Sequence, residues 1–98
     1  MYRRKLGPSF FRTNWAYVDH VVLAPGASVG KHSHNGIEEV YYVMNGTGQV
    51  SVNDEKEPIG PGDALPVQAH EMHGFENNGT EPLELIVIGV AFHKGVLQ

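Results

Sequence analysis

The chain has 98 residues, 41% of them hydrophobic, which suffices for one small domain. It contains no cysteine, so disulfides, cysteine-based zinc sites and thiol catalysis are excluded, and a cytoplasmic location is expected. The net charge of −4 lies on an acidic body, so we expect no nucleic acid as a partner. No apolar run approaches the roughly 18 residues of a membrane span, and the first residues do not resemble a signal peptide.

Residues 1–14 are expected to form a basic arm, because the first twelve show no clean periodicity. From residue 15 onward, short runs of β-branched and aromatic residues are separated by turn signals such as Pro25-Gly26 and Asn45-Gly46. These runs predict seven strands, at 15–24, 28–34, 38–44, 47–53, 64–67, 73–77 and 83–92. The last strand is expected to be the most buried, residues 53–57 a polar hairpin end, and residues 93–98 a loose tail.

No stretch of the chain shows a sustained helical period, and turn signals recur about every 8 to 12 residues. This pattern predicts an all-β sandwich or barrel. We therefore expect a single domain over residues 1–98, with the barrel at 15–92.

The strongest chemical signal is a pair of histidines one residue apart, His32 and His34, followed by Glu39. Side chains at i and i+2 of a strand point to the same face, so the two imidazoles would aim at one point. The Asn35-Gly36 turn lets the chain double back and bring Glu39 in from the next strand. Two imidazoles and a carboxylate that converge are three ligands for a divalent metal ion.

Two stretches of the chain resemble the paired motifs of the cupin superfamily. The first motif is matched at every position by Gly26, His32, His34, Glu39 and Gly46. The second is matched by Gly62, His73 and Asn77, with departures at Gln68, where the family usually has proline, and His70, where it usually has glycine. The resemblance implies a double-stranded β-helix (jelly-roll) cupin barrel. It also implies that His73 is the fourth metal ligand, beside His32, His34 and Glu39.

Glu38 and Glu39 are adjacent, so they must point to opposite faces of their strand. Glu39 has the family's spacing to Gly46, and the resemblance therefore favours Glu39 as the ligand and places Glu38 outside.

A set of three histidines and one carboxylate suits one divalent transition metal, Fe, Mn, Ni, Co or Zn, and does not suit calcium. Four protein ligands around a six-coordinate metal leave two positions for water, substrate or O₂. Neutral imidazoles and one carboxylate leave such a centre with a net charge of +1, which favours anionic or chelating ligands.

Three further residues are candidates for catalytic roles. Tyr41 lies two residues past Glu39 on the same face, so its hydroxyl could enter the pocket, or its ring could form part of the barrel wall. His70 could be a general base, a fifth ligand or a rim residue. His20 could face the cavity as an acid or base, or lie at the surface or in a satisfied core position.

Two classes of function remain open at this point. One is a metal-dependent enzyme for a small chelating or anionic substrate, either an Fe(II) dioxygenase or a Mn, Ni or Zn Lewis-acid isomerase, lyase or decarboxylase. The alternative is a non-catalytic module that binds or senses a small sugar or carboxylate. A homodimer is expected, because Phe10-Phe11 and the final strand offer apolar edges to cover.

Overall fold

The computed structural model describes residues 2–7, 9, 14–33 and 36–92, and for Tyr2, Lys31 and His32 it describes the backbone alone. These residues form antiparallel strands joined by turns, and no α-helix occurs among them. The nine strands are β1 (Tyr2–Leu6), β2 (Trp15–Leu23), β3 (Ser28–His32), β4 (Ile37–Asn45), β5 (Gly48–Val52), β6 (Glu55–Ile59), β7 (Ala64–Val67), β8 (His73–Glu76) and β9 (Leu83–Ala91).

The strands form two antiparallel sheets, of order β1-β2-β9-β4-β7 and β3-β8-β5-β6. The inner faces of both sheets contribute to one hydrophobic core, in which Val43, Leu83 and Leu85 of the larger sheet are fully buried. Rings also meet between the sheets, where Tyr41 packs edge-on against Phe75 with centroids 4.3 Å apart. This is the double-stranded β-helix barrel expected from the sequence.

The sequence-predicted strands recur in the structure with small shifts at their ends. The final strand, β9, is indeed the most buried, with inner residues alternating along its whole length. It lies between β2 and β4 at the centre of its sheet. The expectation that it leaves an edge to cover is therefore wrong, because both of its edges are already hydrogen-bonded. Phe10 and Phe11 lie outside the described residues.

Two strands were not predicted from the sequence. Within the expected arm, β1 pairs with β2, and Arg4 lies opposite Asp19 in the register. In the expected polar hairpin end, β6 pairs with β5 after a two-residue turn in which Asn53 has a φ of 54°. Both are edge strands rich in charged residues, and such strands lack the apolar alternation that marks a strand in sequence.

The turns that close the barrel are fixed by two residues of the paired motifs. Gly46 has a φ of 83°, and a β-carbon there would lie 2.2 Å from the carbonyl oxygen of Pro82. The buried Asn77 side chain donates hydrogen bonds to the carbonyl oxygens of Leu23 and Glu81, and its own Oδ1 accepts one from Gly79 N–H. Glycine and asparagine at these positions thus hold the loops at one end of the barrel.

In the portion of the chain that the structure describes, no helix has the length and apolar character needed to span a membrane.

Candidate functional site

Glu39 lies on the inner face of β4. The burial of this strand alternates strictly, with Ile37, Glu39, Tyr41 and Val43 inside and Glu38 outside. The expectation that Glu39 faces the barrel interior and Glu38 the exterior is confirmed. A carboxylate that is 5% exposed must be compensated by hydrogen bonds or charge, since burial of an unpaired charge is costly.

His73, at the start of β8 in the other sheet, lies next to this carboxylate. Its Nε2 atom lies 3.2 Å from Oε1 of Glu39, and its side chain is 1% exposed. Its Nδ1 atom donates a hydrogen bond of 3.1 Å to the carbonyl oxygen of Glu71, which fixes the ring so that Nε2 faces the carboxylate. The two sheets therefore bring together an imidazole and a carboxylate that are 34 positions apart in the chain.

The pKa of His73 reflects two opposed effects. Burial by itself lowers the pKa, but the close contact with the Glu39 carboxylate, the hydrogen bond to Glu71 O and the nearby negative charge outweigh it and raise the pKa above the ordinary 6.5. A proton on Nε2 of His73 is therefore stabilised by the neighbouring Glu39 carboxylate.

Two tyrosine hydroxyls complete the surroundings of Glu39. Tyr41 donates a hydrogen bond of 2.7 Å to Oε1, and Tyr17 of β2 donates one to Oε2. Both tyrosines are buried, and the Tyr41 ring also lies against His73, with centroids 5.7 Å apart. The Tyr41 hydroxyl thus bonds to the Glu39 carboxylate and its ring packs in the core against Phe75, while a catalytic role for Tyr41 stays a prediction.

Tyr17 was missed in the sequence analysis, although its strand was predicted. Nothing local marks it, because its contact with Glu39 crosses an intervening strand. The one available signal was Gly89, a glycine in the interior of a predicted strand, which often marks a close approach of another group.

The other two catalytic candidates lie apart from this cluster. His20 is on the outer face of β2, where its Nε2 lies 2.7 Å from Oε2 of Glu84. The same contact and a hydrogen bond from Asn45 hold the pKa of Glu84 below its ordinary value, with the Asn45 bond as the larger cause. His70 is exposed in the turn between β7 and β8, with a φ of 71°.

Of the predicted metal ligands, Glu39 and His73 have described side chains and are neighbours. His32 is the register partner of His73 across the β3–β8 pair, with only its backbone described. His34 lies outside the described residues. Among the side chains that the structure describes, no three histidine, aspartate or glutamate residues form a metal-binding group.

Comparison with known proteins identifies the family to which the chain belongs. The cupin domain family model (Cupin_2) matches residues 19–89, so the chain belongs to the cupin domain family. A cupin 2 conserved barrel domain protein from Salinispora arenicola superimposes with a TM-score of 0.79 over 91% of this chain and 73% of that one, at 20% identity, which shows the fold alone.

Other relatives carry more specific descriptions. The chain is 39% identical over 66 residues to an oxalate-binding protein of Thermotoga maritima, covering 67% of this chain and 54% of the relative. It is 32% identical over 84 residues to the tetracenomycin polyketide synthase protein TcmJ of Streptomyces glaucescens, covering 86% and 56%. A crystal structure described as a predicted oxalate decarboxylase of Thermotoga maritima superimposes with a TM-score of 0.88 at 30% identity, covering 92% and 78%. The chain spans about half the length of these curated relatives.

Proposed function

We propose that this cupin binds one divalent transition metal ion and, through it, a small chelating carboxylate of the oxalate class. The proposed ligands are His32, His34, Glu39 and His73. The observation that carries the proposal is the buried contact between Nε2 of His73 and Oε1 of Glu39 at 3.2 Å. An oxalate-binding protein among the relatives supports the class of ligand.

The chemistry of this pair fits a metal ion. Two donor atoms at the usual metal distance of about 2.1 Å, on adjacent positions of an octahedral ion, are about 3.0 Å apart, close to the observed separation. The hydrogen bond from His73 Nδ1 to a backbone carbonyl is the second interaction that metal-binding histidines commonly make. His32 is the register partner of His73 in the β3–β8 pair, so a second histidine, a common metal ligand, lies at the same level of the barrel.

A bound divalent ion would supply Lewis acidity and a positive charge for a chelating anion. The chain's own groups would then define the rest of the site. Glu39 lowers the net charge, and the Tyr41 hydroxyl, 2.7 Å from Oε1, offers a donor next to the ligand position. Apolar side chains such as Val67 and Phe75 exclude bulk water, which strengthens these interactions.

A second candidate is catalysis on the same class of ligand. The Tyr41 and Tyr17 hydroxyls beside Glu39 favour it, since they could hold or deliver a proton during a Lewis-acid decarboxylase, lyase or isomerase reaction. Dioxygenase-type chemistry remains a variant if the native metal is iron. Without turnover, the protein would be the non-catalytic binding module that the first proposal describes.

The test begins with the metal content of purified protein, of His73→Ala and of Glu39→Gln. Full metal in the wild type and loss in both variants is expected, since each removes one proposed ligand. Calorimetric titration with oxalate should show binding to the metal-loaded protein and none after chelation. CO₂ release would indicate a decarboxylase, and substrate-dependent O₂ uptake an oxygenase. Unchanged metal content in both variants would refute the ligand assignment.

We also propose that the protein is a cytoplasmic homodimer that associates through the outer face of the larger sheet. On β4 the outer residues Val40, Tyr42 and Met44 are 40%, 46% and 42% exposed, and the outer residues of β9 beside them are Ile86, Ile88 and Val90. Such a contiguous apolar face is typical of an interface.

A further inference from the structure

The hydrogen bond between Tyr17 and Glu39 joins strands that are not neighbours. Tyr17 is on β2 and Glu39 on β4, with β9 between them, and both residues share Gly89 as their register partner. Two strands separated by a third are about 9.5 Å apart. A tyrosine can span this distance only if its ring lies along the sheet, above the backbone of the middle strand.

Gly89 provides the room for that arrangement. A β-carbon at position 89 would lie 2.4 Å from Cζ of Tyr17 and 2.6 and 2.7 Å from its two Cε atoms. These distances are below any real contact of a β-carbon, so any other residue at position 89 would force the ring away. The glycine is therefore required by the position of the tyrosine ring, since its backbone has no positive φ to explain it.

Two further features accompany the position of the Tyr17 ring. The Arg4 guanidinium carbon lies 4.3 Å from the ring centroid, and Arg4 forms two hydrogen bonds with the fully buried Asp19, at 2.9 and 3.2 Å. The β2–β9 register shifts between Trp15 and Tyr17, so that Ala16 and Tyr17 are both buried. Such irregularities commonly redirect a side chain.

We propose that Tyr17 is a positioning residue for Glu39, with Gly89 as the space that admits its ring and Arg4 as the group that covers it. The Tyr17 hydroxyl holds Oε2, and with Tyr41 on Oε1 it sets the plane of the carboxylate toward His73. Through Arg4, the first strand is coupled to the site although it contributes no ligand. The functional part of this inference rests on the proposed metal site.

The first test needs no metal. In the presence of chelator, urea unfolding of Tyr17→Phe, Glu39→Leu and the double variant forms a double-mutant cycle. A hydrogen bond from Tyr17 to a buried charge should give a coupling of about tenfold or more in the unfolding equilibrium constant. A coupling near unity would overturn the proposed contact whether or not the protein binds metal.

The second test measures the affinity for Co(II) alone by competition with a chromophoric chelator. Tyr17→Phe keeps the ring over Gly89 and removes only the hydroxyl, so it should remain folded and bind metal about 10 to 100 times more weakly. Tyr42→Phe, which removes a hydroxyl from the outer face, should bind as the wild type does. Equal affinity of Tyr17→Phe and wild type would overturn the positioning role.

Gly89→Ala tests the space beneath the ring, with Gly60→Ala as its control, since a β-carbon at position 60 makes only an ordinary contact at 3.9 Å. Gly89→Ala should weaken Co(II) binding as Tyr17→Phe does. The variant that combines both substitutions should have a Co(II) affinity no lower than that of the weaker-binding single variant. Full additivity would show that the two residues act separately and would overturn the role of Gly89. Absence of Co(II) binding in the wild type would refute the proposed function, and the metal-free cycle would then decide the inference alone.

Discussion

Nε2 of His73 and Oε1 of Glu39 lie 3.2 Å apart, although the residues belong to opposite sheets of the barrel. This contact makes His73 a proton acceptor in the metal-free protein and a proposed metal ligand in the loaded one. The two roles depend on pH in opposite directions, which gives the first prediction.

In the metal-free protein, stability should fall as the pH rises above about 6.5, the ordinary pKa of histidine. The pKa of His73 is raised in the folded state, so its contribution is fully present below the unfolded value of 6.5 and is lost as the pH passes the folded value. Metal binding requires the neutral imidazole, so the metal-loaded protein should gain stability over the same range. Thermal unfolding with chelator and with metal across this pH range measures both slopes. His73→Gln should flatten both, and parallel slopes in the wild type would contradict the prediction.

Gly46→Ala should lower the free energy of unfolding by at least about 3 kcal/mol. The residue has a φ of 83°, and the new β-carbon would lie 2.2 Å from Pro82 O. Gly26→Ala is the matched control, because its φ is 86° but a β-carbon there meets nothing within 4 Å. Gly26→Ala should lower the free energy of unfolding by only about 1–2 kcal/mol, which is the cost of placing a β-carbon on a backbone with positive φ. Urea unfolding measures the difference, and equal losses would show that the contact with Pro82 does not matter.

His70→Gly should stabilise the protein by about 0.5–1 kcal/mol. His70 has a φ of 71° at the third position of the turn formed by Gln68 and Glu71, and glycine adopts this conformation without strain. His70→Ala removes the same imidazole but keeps the β-carbon, so it should not stabilise. Metal content should be unchanged in both, and loss of metal in either would assign His70 to the site.

Tyr42→Glu should convert the proposed dimer to a monomer. The side chain is 46% exposed on the outer face of the larger sheet, where a charge is tolerated in a monomer but costly in an apolar interface. Light scattering should give about twice the chain mass of 10.8 kDa for the wild type and the single mass for the variant. Glu57→Gln, on the exposed edge strand of the other sheet, is the control and should remain dimeric. A monomeric wild type would refute the dimer.

Position 70, where this chain has histidine and the family usually has glycine, shows how far a local sequence pattern predicts the site. The imidazole of His70 suggested a catalytic or metal-binding role. Its positive φ instead shows that the residue occupies a turn position at which the family usually has glycine. The His20 side chain similarly could not be assigned to a face from sequence, because its strand is apolar on both sides. Its outward direction was settled by the pairing of β2 with β9 and by the contact with Glu84.

Apart from the edge strands β1 and β6, the strands, turns and fold class followed from the sequence because alternation and turn residues act between near neighbours. The motif spacing indicated that Glu39, rather than Glu38, lies inside. The first strand and the Tyr17–Glu39 contact did not follow. They depend on the order β1-β2-β9-β4, which sets Tyr17 and Glu39, 22 positions apart in the chain, on either side of Gly89. Strand order arises from the packing of the whole barrel, so only the tertiary structure decides which side chains meet.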